Sequence, residues 1–309
     1  MTKIEGLIAA TFSTFHEDGT LNLDLVPVLV DKLVEDGLRG VFVCGTNGEG
    51  PNMTVQERMA VAEAYVKAAR KRLLVFVHVG HNSIGESRKM AAHASRIGAD
   101  AISAVAGFYF KPSSVENLVY CMAEIASAAP DLPFYYYHIP ALTGVGMDMV
   151  DFLRLSEEQI PNLAGIKYTA SSLHEYQACI NYGGGKFDIL FGYDEMLLSA
   201  LTVGAKGAVG STYTFAAPLY RQLMAEFNAG NLEGARRAQH LSVQMVRRLT
   251  QHSSIPAQKA IMAMRGIDLG PCRLPLKALS VFDSKLLEAG LDDIKFFETL
   301  NIVHAAKPA

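Results

Sequence analysis

The chain has 309 residues, of which half are hydrophobic and 19% are charged, and its net charge is −3 at neutral pH. This composition excludes a disordered chain, because enough apolar side chains are present to bury a large core. The near-zero net charge gives no basic surface of the kind that binds DNA or RNA, so we expect no nucleic-acid partner.

Cysteines and other metal-binding residue types are widely scattered. The four cysteines contain no CxxC pair and occupy positions Cys44, Cys121, Cys179 and Cys272. This spacing indicates neither a zinc knuckle nor a disulfide framework, and no cluster of His, Asp and Glu has metal-ligand spacing, which predicts a metal-independent site.

Residues 1–15 lack the layout of a signal peptide, and no stretch is apolar over the length of a membrane span. We therefore expect a soluble, cytoplasmic protein with no membrane contact.

Short apolar runs alternate with helical patterns along most of the chain. Eight strands are predicted, at residues 6–13, 40–45, 73–80, 100–107, 134–138, 164–169, 188–194 and 205–212. Four of the helices between them begin at a serine or threonine followed three positions later by a glutamate, which is the spacing of a capping box. These pairs are Thr54 and Glu57, Ser83 and Glu86, Ser113 and Glu116, and Ser172 and Glu175. The other helices are predicted at residues 22–36, 148–155, 195–203 and 218–227.

The repeat of eight strand–helix units in about 225 residues predicts an α/β protein with a (β/α)8 TIM barrel rather than an open sheet. No GxGxxG follows the first strand, which disfavours a dinucleotide-binding fold. Beyond the barrel, helices are predicted at residues 232–249, 257–265, 274–281 and 292–302. We therefore assign residues 1–230 to the barrel that carries the active site, and residues 231–309 to a C-terminal helical extension that packs directly on it.

A lysine interrupts the apolar strand at residues 163–169, at position Lys167. Burying an ammonium group is costly and lowers its pKa, so a buried lysine keeps a fraction of neutral amine that can attack a carbonyl carbon and form a Schiff base. The alternative is a strand-end lysine that reaches solvent or pairs with an acid. Barrel enzymes place their chemistry at the carboxyl ends of the strands. The position of Lys167 near the end of the sixth strand therefore favours the catalytic interpretation.

The same rule selects polar residues at the ends of the other strands, namely Thr46, Asn47, Glu49, Tyr109, Tyr137, His138, Thr169, Asp194, Glu195, Ser211 and Thr212. An imine-forming lysine needs a proton shuttle, and Tyr137 on the neighbouring strand can serve if a hydroxyl such as that of Thr46 binds it. The alternative for Tyr137 is a core tyrosine. Strand alternation places Tyr135 and Tyr137 on one face and Tyr136 on the other.

Three further features have two interpretations each. The GTNGE loop at residues 45–49 either presents the Thr46 hydroxyl and the Asn47 amide to a small carboxylate or is a simple turn into a helix. His138 precedes a proline-containing segment and fits a structural role at least as well as that of a base. Asp194 and Glu195 suit a helix N-terminus, hydroxyl binding, or both together.

Six segments in the right order resemble the dihydrodipicolinate synthase and pyruvate-dependent class I aldolase family, in its N-acetylneuraminate lyase branch. They are GTNGEG at 45–50, YYYHIPALTGV at 135–145, GIKYT at 165–169, FGYDE at 191–195, GAVGSTY at 207–213 and GPCRLPL at 270–276. The resemblance covers almost the whole chain. It implies that Lys167 forms a Schiff base with pyruvate without any cofactor, that Tyr137 is the proton shuttle, and that Tyr109 supports the hydrogen-bond relay.

The resemblance also implies a substrate site. Thr46 and Asn47 would bind the pyruvate carboxylate, although Asn47 stands where the family usually has a serine or threonine. The polyhydroxyl tail of a sugar acid would be bound by Thr169, Gly192, Asp194, Glu195 and Ser211. Dihydrodipicolinate synthases usually have a glycine and an arginine where this chain has Ala141 and Leu142.

The implied activity is the reversible cleavage of N-acetylneuraminate, a sialic acid, to N-acetylmannosamine and pyruvate by a homotetramer with sites near its subunit contacts. The alternatives are a 4-hydroxy-tetrahydrodipicolinate (dihydrodipicolinate) synthase or another 2-keto sugar acid aldolase of the family. A different class of function, which the intact Lys167 and Tyr137 disfavour, is a non-catalytic sugar-acid sensor.

Overall fold

The computed structural model describes residues 3–305, with side chains up to residue 301. Eight parallel strands close into a barrel in chain order, so the predicted (β/α)8 TIM barrel is confirmed. The strands are β1 Gly6–Ala10, β2 Gly40–Val43, β3 Leu74–His78, β4 Ala101–Val105, β5 Phe134–His138, β6 Leu163–Tyr168, β7 Asp188–Phe191 and β8 Gly207–Gly210. Most are shorter than predicted, because the residues after their carboxyl ends turn into the loops of the barrel mouth.

The helices that surround and extend the barrel are α1 Val26–Glu35, α2 Val55–Ala69, α3 Ile84–Arg96, α4 Val115–Ala126, α5 Pro140–Thr143, α6 Met149–Gln159, α7 Leu173–Asn181, α8 Leu197–Thr202, α9 Tyr213–Asn228, α10 Leu232–Leu249, α11 Ser254–Met264, α12 Val281–Asp293 and α13 Phe296–Ala305. Within residues 3–305, no helix combines the length and apolarity needed to cross a lipid bilayer.

The predicted helix starts are partly confirmed. Thr54 and Glu57 form a complete capping box at α2, and Ser83 caps α3. The cap of α4 is wrong by one residue: Ser114 accepts a hydrogen bond from the backbone N–H of Asn117, which satisfies one of the free N–H groups of the first turn. Ser172 stands at the start of α7 but makes no capping hydrogen bond.

The predicted helix at residues 274–281 is wrong, and α12 begins only at residue 281. Pro275 disfavours a helical conformation at the residue before it and has no N–H to donate. The N–H of Arg273 is also committed elsewhere, since it donates to the Glu49 carboxylate in the barrel. The predicted helix at 292–302 is instead divided between the end of α12 and the start of α13. Lys295, with a φ of 53°, lies between these two helices.

Alternation along β5 and β6 separates two apolar layers. Tyr135 and Tyr137 share one face and Tyr136 lies on the other, as predicted. The structure shows that the first face is the barrel interior, whereas Tyr136 packs between the strands and the outer helices. Lys167 on β6 pairs with Tyr137 on one side and with Leu190 of the interior cluster on the other. The strand register therefore directs Lys167 into the barrel.

The C-terminal helices extend from the barrel without a linker. α10 lies along α9, the last helix of the barrel, and α13 packs against the same helix. α10 also contacts the short 3-10 helix Asp194–Met196 that follows β7. The extension therefore reaches the end of the barrel at which the predicted site residues lie.

Candidate active site

Lys167 is buried at the carboxyl end of the barrel, with 4% of its surface exposed. Its Nζ atom lies 4.0 Å from the centroid of the Phe42 ring and 3.8 Å from that of Tyr137. Burial lowers the pKa of Lys167 to about 7, against the opposing charge of Asp194. This burial excludes the solvent-reaching lysine. At neutral pH a large fraction of the amine is neutral and can act as a nucleophile.

Tyr137 lies beside this amine and is itself buried. Burial raises the pKa of Tyr137 to about 12, and the hydroxyl groups of Thr46 and Thr169 oppose that rise. The phenol therefore keeps its proton at neutral pH. Flanked by two other hydroxyl groups, it can receive a proton from a substrate while passing its own proton on.

The loop after β2 folds tightly over the barrel mouth. It is closed by backbone hydrogen bonds of 3.0 Å from Glu49 to Thr46 and from Gly50 to Gly45. Gly50 has to be glycine, since a Cβ atom there would lie 2.0 Å from the carbonyl oxygen of Cys44. This closure presents the side chains of Thr46 and Asn47 to the cavity around Lys167.

Asp194 is a buried acid in the lining of the same cavity. Burial raises its pKa to about 6, although the side-chain and backbone hydrogen bonds from Thr212 oppose this. Its Oδ2 accepts from the Thr212 N–H at 2.8 Å and from the Thr212 Oγ1 at 2.6 Å, and the Ser211 hydroxyl donates to it at 3.4 Å. Asp194 thus organises the β8–α9 turn, while Glu195 beside it lines the cavity.

One cavity of about 260 Å³ brings together nine of the ten residues predicted from the sequence: Thr46, Asn47, Tyr137, Lys167, Thr169, Gly192, Asp194, Glu195 and Ser211. The tenth, Tyr109, is not among the lining residues. It lies in the loop after β4 with 77% of its surface exposed, and its ring packs on that of Phe110. Within one chain, Tyr109 therefore does not reach Tyr137.

His138 lies outside this cavity, on the outer face of β5. Its ring packs 5.1 Å from that of Tyr168 and 6.1 Å from that of Tyr136, centroid to centroid. Burial lowers the pKa of His138 to about 4. These contacts agree with the structural interpretation. In the part of the chain that the structure describes, no group of three or more His, Cys, Asp or Glu residues is arranged to hold a metal ion.

The C-terminal extension supplies part of the cavity wall, which the sequence interpretation missed. Its contributions are Val246, Leu249, Thr250, Ser254 and Gln258. The available signal was the adjacent pair Gln258 and Lys259, two polar residues within an apolar helical pattern that are both buried in α11. Helical periodicity predicted α10 and part of α11, but not that their junction closes over the barrel mouth.

The profile of the dihydrodipicolinate synthetase family matches residues 3–292. This chain belongs to that family. Among its relatives, an N-acetylneuraminate lyase of Xenopus tropicalis is 45% identical over 278 residues, which cover 89% of this chain and 91% of the relative. The family resemblance inferred from the six sequence segments is thereby confirmed.

Solved structures agree with this assignment to the dihydrodipicolinate synthetase family. The Proteus mirabilis N-acetylneuraminate lyase matches with a TM-score of 0.93 at 37% identity, over 96% of this chain and 100% of that one. The N-acetylneuraminate lyase (sialic acid aldolase) of Aliivibrio salmonicida also matches with a TM-score of 0.93, at 38% identity, over 96% of this chain and 98% of that one. The barrel and the C-terminal extension of this chain are therefore arranged as they are in these two enzymes.

Proposed function

We propose that this protein is a class I aldolase that reversibly cleaves N-acetylneuraminate to N-acetylmannosamine and pyruvate. The observation that carries the proposal is the buried amine of Lys167, with a pKa of about 7, against the ring of Tyr137 in a cavity lined by polar groups. The relatives named N-acetylneuraminate lyase support the choice of substrate.

The reaction begins when the neutral amine of Lys167 attacks the C2 ketone of the open-chain sugar acid. Loss of water gives a protonated imine, while Thr46 and Asn47 hold the adjacent carboxylate. Tyr137 takes up the proton of the C4 hydroxyl as the C3–C4 bond breaks and passes its own proton through the Thr46 hydroxyl to the substrate carboxylate, while the bonding electrons move into the imine to give an enamine. The aldehyde product leaves. Protonation at C3 and hydrolysis of the imine then release pyruvate and restore the amine.

The remaining cavity suits a polyhydroxyl chain better than a second carboxylate. Asp194 and Glu195 supply acceptors for hydroxyl groups, the side chains of Thr169 and Ser211 supply both donors and acceptors, and Gly192 leaves room beside Thr169. Of the described residues, none that lines this cavity is an arginine. This supports the sugar-acid substrate over the dihydrodipicolinate synthase alternative, in which an arginine would bind a substrate carboxylate.

We also infer a homo-oligomer, with the homotetramer as the expected state. Tyr109 and Phe110 form an apolar loop tip with 77% and 88% of their surfaces exposed. Such a tip is usually covered in an assembly. If a second copy covers this tip, Tyr109 can join the hydrogen-bond relay of Tyr137 in that copy, whereas it does not reach Tyr137 in its own chain. Light scattering on the purified protein tests the assembly. The cytoplasmic location and independence from metals and cofactors remain predictions.

Borohydride reduction in the presence of pyruvate, followed by peptide mass spectrometry, tests the proposed chemistry. We expect one covalent adduct, on the peptide that contains Lys167, and none in the Lys167→Ala variant. The exposed Lys206→Ala variant is the matched control and should be trapped like the unaltered protein. An adduct on a different lysine, or no adduct at all, contradicts the mechanism.

A substrate panel separates this function from its alternatives. Pyruvate release from N-acetylneuraminate should exceed release from other 2-keto sugar acids. Faster condensation of pyruvate with aspartate semialdehyde would instead support the synthase. Tight binding of the sugar acid without pyruvate release would support a sensor.

A further inference from the structure

Helix α11 of the C-terminal extension holds the loop at residues 45–49 through two side chains. The Nδ2 atom of Asn47 donates a hydrogen bond of 3.0 Å to the Oε1 atom of Gln258, and both side chains are buried. We propose that Gln258 is a positioning residue for carboxylate binding, which acts through Asn47. This inference rests on the proposed function, since it assumes that the loop at residues 45–49 binds the pyruvate carboxylate.

The orientation of the Gln258 amide is itself fixed. Its Nε2 atom donates to the hydroxyl oxygen of Ser254 at 3.1 Å, one helical turn earlier on α11. One N–H of the Gln258 amide is therefore used by Ser254, and the amide oxygen is directed towards Asn47. The Asn47 amide nitrogen carries two hydrogens, so the bond to Gln258 uses one N–H and leaves the second to donate to a carboxylate. Because an amide is planar, the same bond fixes the direction of that second N–H.

The next residue of the same helix holds the loop at a second point. Lys259 forms a buried ion pair of 2.8 Å with Glu49, and the Glu49 carboxylate also accepts the N–H of Arg273 at 2.8 Å. Adjacent residues of α11 thus bind Asn47 and Glu49, which stand two positions apart in the loop. The Glu49 N–H in turn binds the carbonyl oxygen of Thr46, so the whole turn is fixed relative to α11.

This arrangement gives Gln258 a role in binding rather than in chemistry. Gln258 does not contact Lys167 through any hydrogen bond in the described structure, so its loss should leave the reactivity of the amine unchanged. Its loss should instead allow the Asn47 amide to turn, and small misplacements of a binding group weaken the hold on a ligand. Gln258 also lines the cavity, so a direct contact with substrate is the competing explanation.

A double-mutant cycle separates the two explanations. Gln258→Met keeps the length of the side chain and removes the strong acceptor, and Asn47→Thr shortens the side chain so that it does not reach α11. The readout is borohydride trapping of pyruvate, analysed as the pyruvate concentration for half-maximal trapping and the trapping rate at saturation. The exposed Gln251→Met on the segment between α10 and α11 is the matched control.

We expect Gln258→Met to raise the half-saturating concentration roughly five- to tenfold, because it leaves a buried amide without its partner, and to leave the saturated rate unchanged. In the Asn47→Thr background, Gln258→Met should change the pyruvate concentration for half-maximal trapping less than twofold. Equal shifts in both backgrounds, or a change in the saturated rate alone, overturn the proposal. Absence of trapping in the unaltered protein would overturn the proposed function itself, whereas trapping with unaltered half-saturation in Gln258→Met overturns only this inference.

If the Gln258→Met chain does not fold, Ser254→Ala tests the same idea. It frees the Gln258 amide to turn without removing it, and half-saturation should rise about two- to threefold. An unchanged value overturns the proposal.

Discussion

The Nζ atom of Lys167 lies 3.8 Å from the centroid of the Tyr137 ring, with the Phe42 ring 4.0 Å away. An aromatic face attracts a cation, so these rings offset part of the cost of burying the ammonium group. They do not cancel it, because burial still lowers the pKa of Lys167 to about 7. The same ring that packs on the amine also carries the hydroxyl that would move the substrate proton.

Imine formation with pyruvate should accelerate as the pH rises through about 7, because the neutral form of Lys167 is the nucleophile. The charge of Asp194 raises the pKa of Lys167, so Asp194→Asn should shift this rise to lower pH. Borohydride trapping rates across pH 5 to 9 measure both. The exposed Glu158→Gln is the control and should leave the profile in place. An unchanged profile in Asp194→Asn would contradict the electrostatic argument.

Lys167→Met should stabilise the protein at low and neutral pH, by an amount on the order of a few kcal/mol. The pKa of Lys167 is 10.5 for a free side chain and about 7 in the fold. Below pH 7 the amine is charged in both the folded and unfolded states, and the full cost of burying the charge is present. As the pH rises from 7 to 10.5, the folded state loses its proton first and the cost disappears.

Urea unfolding of Lys167→Met and the unaltered protein at pH 6, 8 and 10 measures this difference. The difference in the free energy of unfolding between the variant and the unaltered protein should be largest at pH 6 and should nearly disappear at pH 10. A gap that is independent of pH would show that the gain comes from packing and not from the removed charge.

Tyr137→Phe should separate imine formation from bond cleavage. The ring remains to pack on Lys167, so pyruvate trapping should persist, whereas sugar acid cleavage should fall by about a hundredfold or more because the proton shuttle is absent. Tyr135→Phe is the matched control from the same strand face: its hydroxyl donates to Asp188, away from the cavity. Equal losses in trapping and cleavage would place the Tyr137 hydroxyl outside the proton-transfer step.

Local sequence signals were sufficient for the barrel and for eight of the nine predicted residues that line its cavity, whereas Gly192 was indicated only by the family resemblance. Strand alternation placed Tyr137 on the same face as Tyr135, and the rule that barrel chemistry follows strand ends located Lys167, Thr46 and Asp194. These features depend on residues near one another in sequence or on the repeat of one unit.

Long-range contacts were not predictable in the same way. Gln258 meets Asn47 across 211 positions, and Arg273 meets Glu49 across 224 positions, so no local pattern reports either contact. The error at residues 274–281 has two causes. Pro275 is a local signal against a helix that the apolar spacing outweighed, whereas the bond from Arg273 to Glu49 is a long-range contact.

Gly192→Ala should impair sugar acid cleavage more than pyruvate trapping. A Cβ atom at this position would lie 2.0 Å from the Thr169 hydroxyl oxygen and 2.8 Å from the Thr169 Cβ, so that side chain has to move. Thr169 lines the cavity where the sugar tail is expected. The KM for N-acetylneuraminate should rise about tenfold or more, in steady-state assays beside pyruvate trapping. The control is the exposed Gly85→Ala in α3, where the backbone φ is not positive and the atom nearest to the added Cβ, the Ser83 hydroxyl oxygen, is 3.8 Å away. A KM equal to that of the control would mean that the Thr169 side chain can move aside without weakening the binding of the sugar acid.

The buried ion pair between Glu49 and Lys259 should show strong coupling in stability. Both side chains are buried, so Glu49→Gln leaves an unpaired ammonium group, and Lys259→Met leaves an unpaired carboxylate. Each single substitution should lower the free energy of unfolding by about 3 to 5 kcal/mol, whereas the double variant should lose much less than their sum. Urea unfolding measures all three.

The exposed pair of Glu233 and Arg237 provides the control, and Glu233→Gln should change stability by about 0.5 kcal/mol or less. Additive losses at Glu49 and Lys259 would mean that each stabilises the fold through other contacts, and α11 would then hold the loop through Gln258 alone.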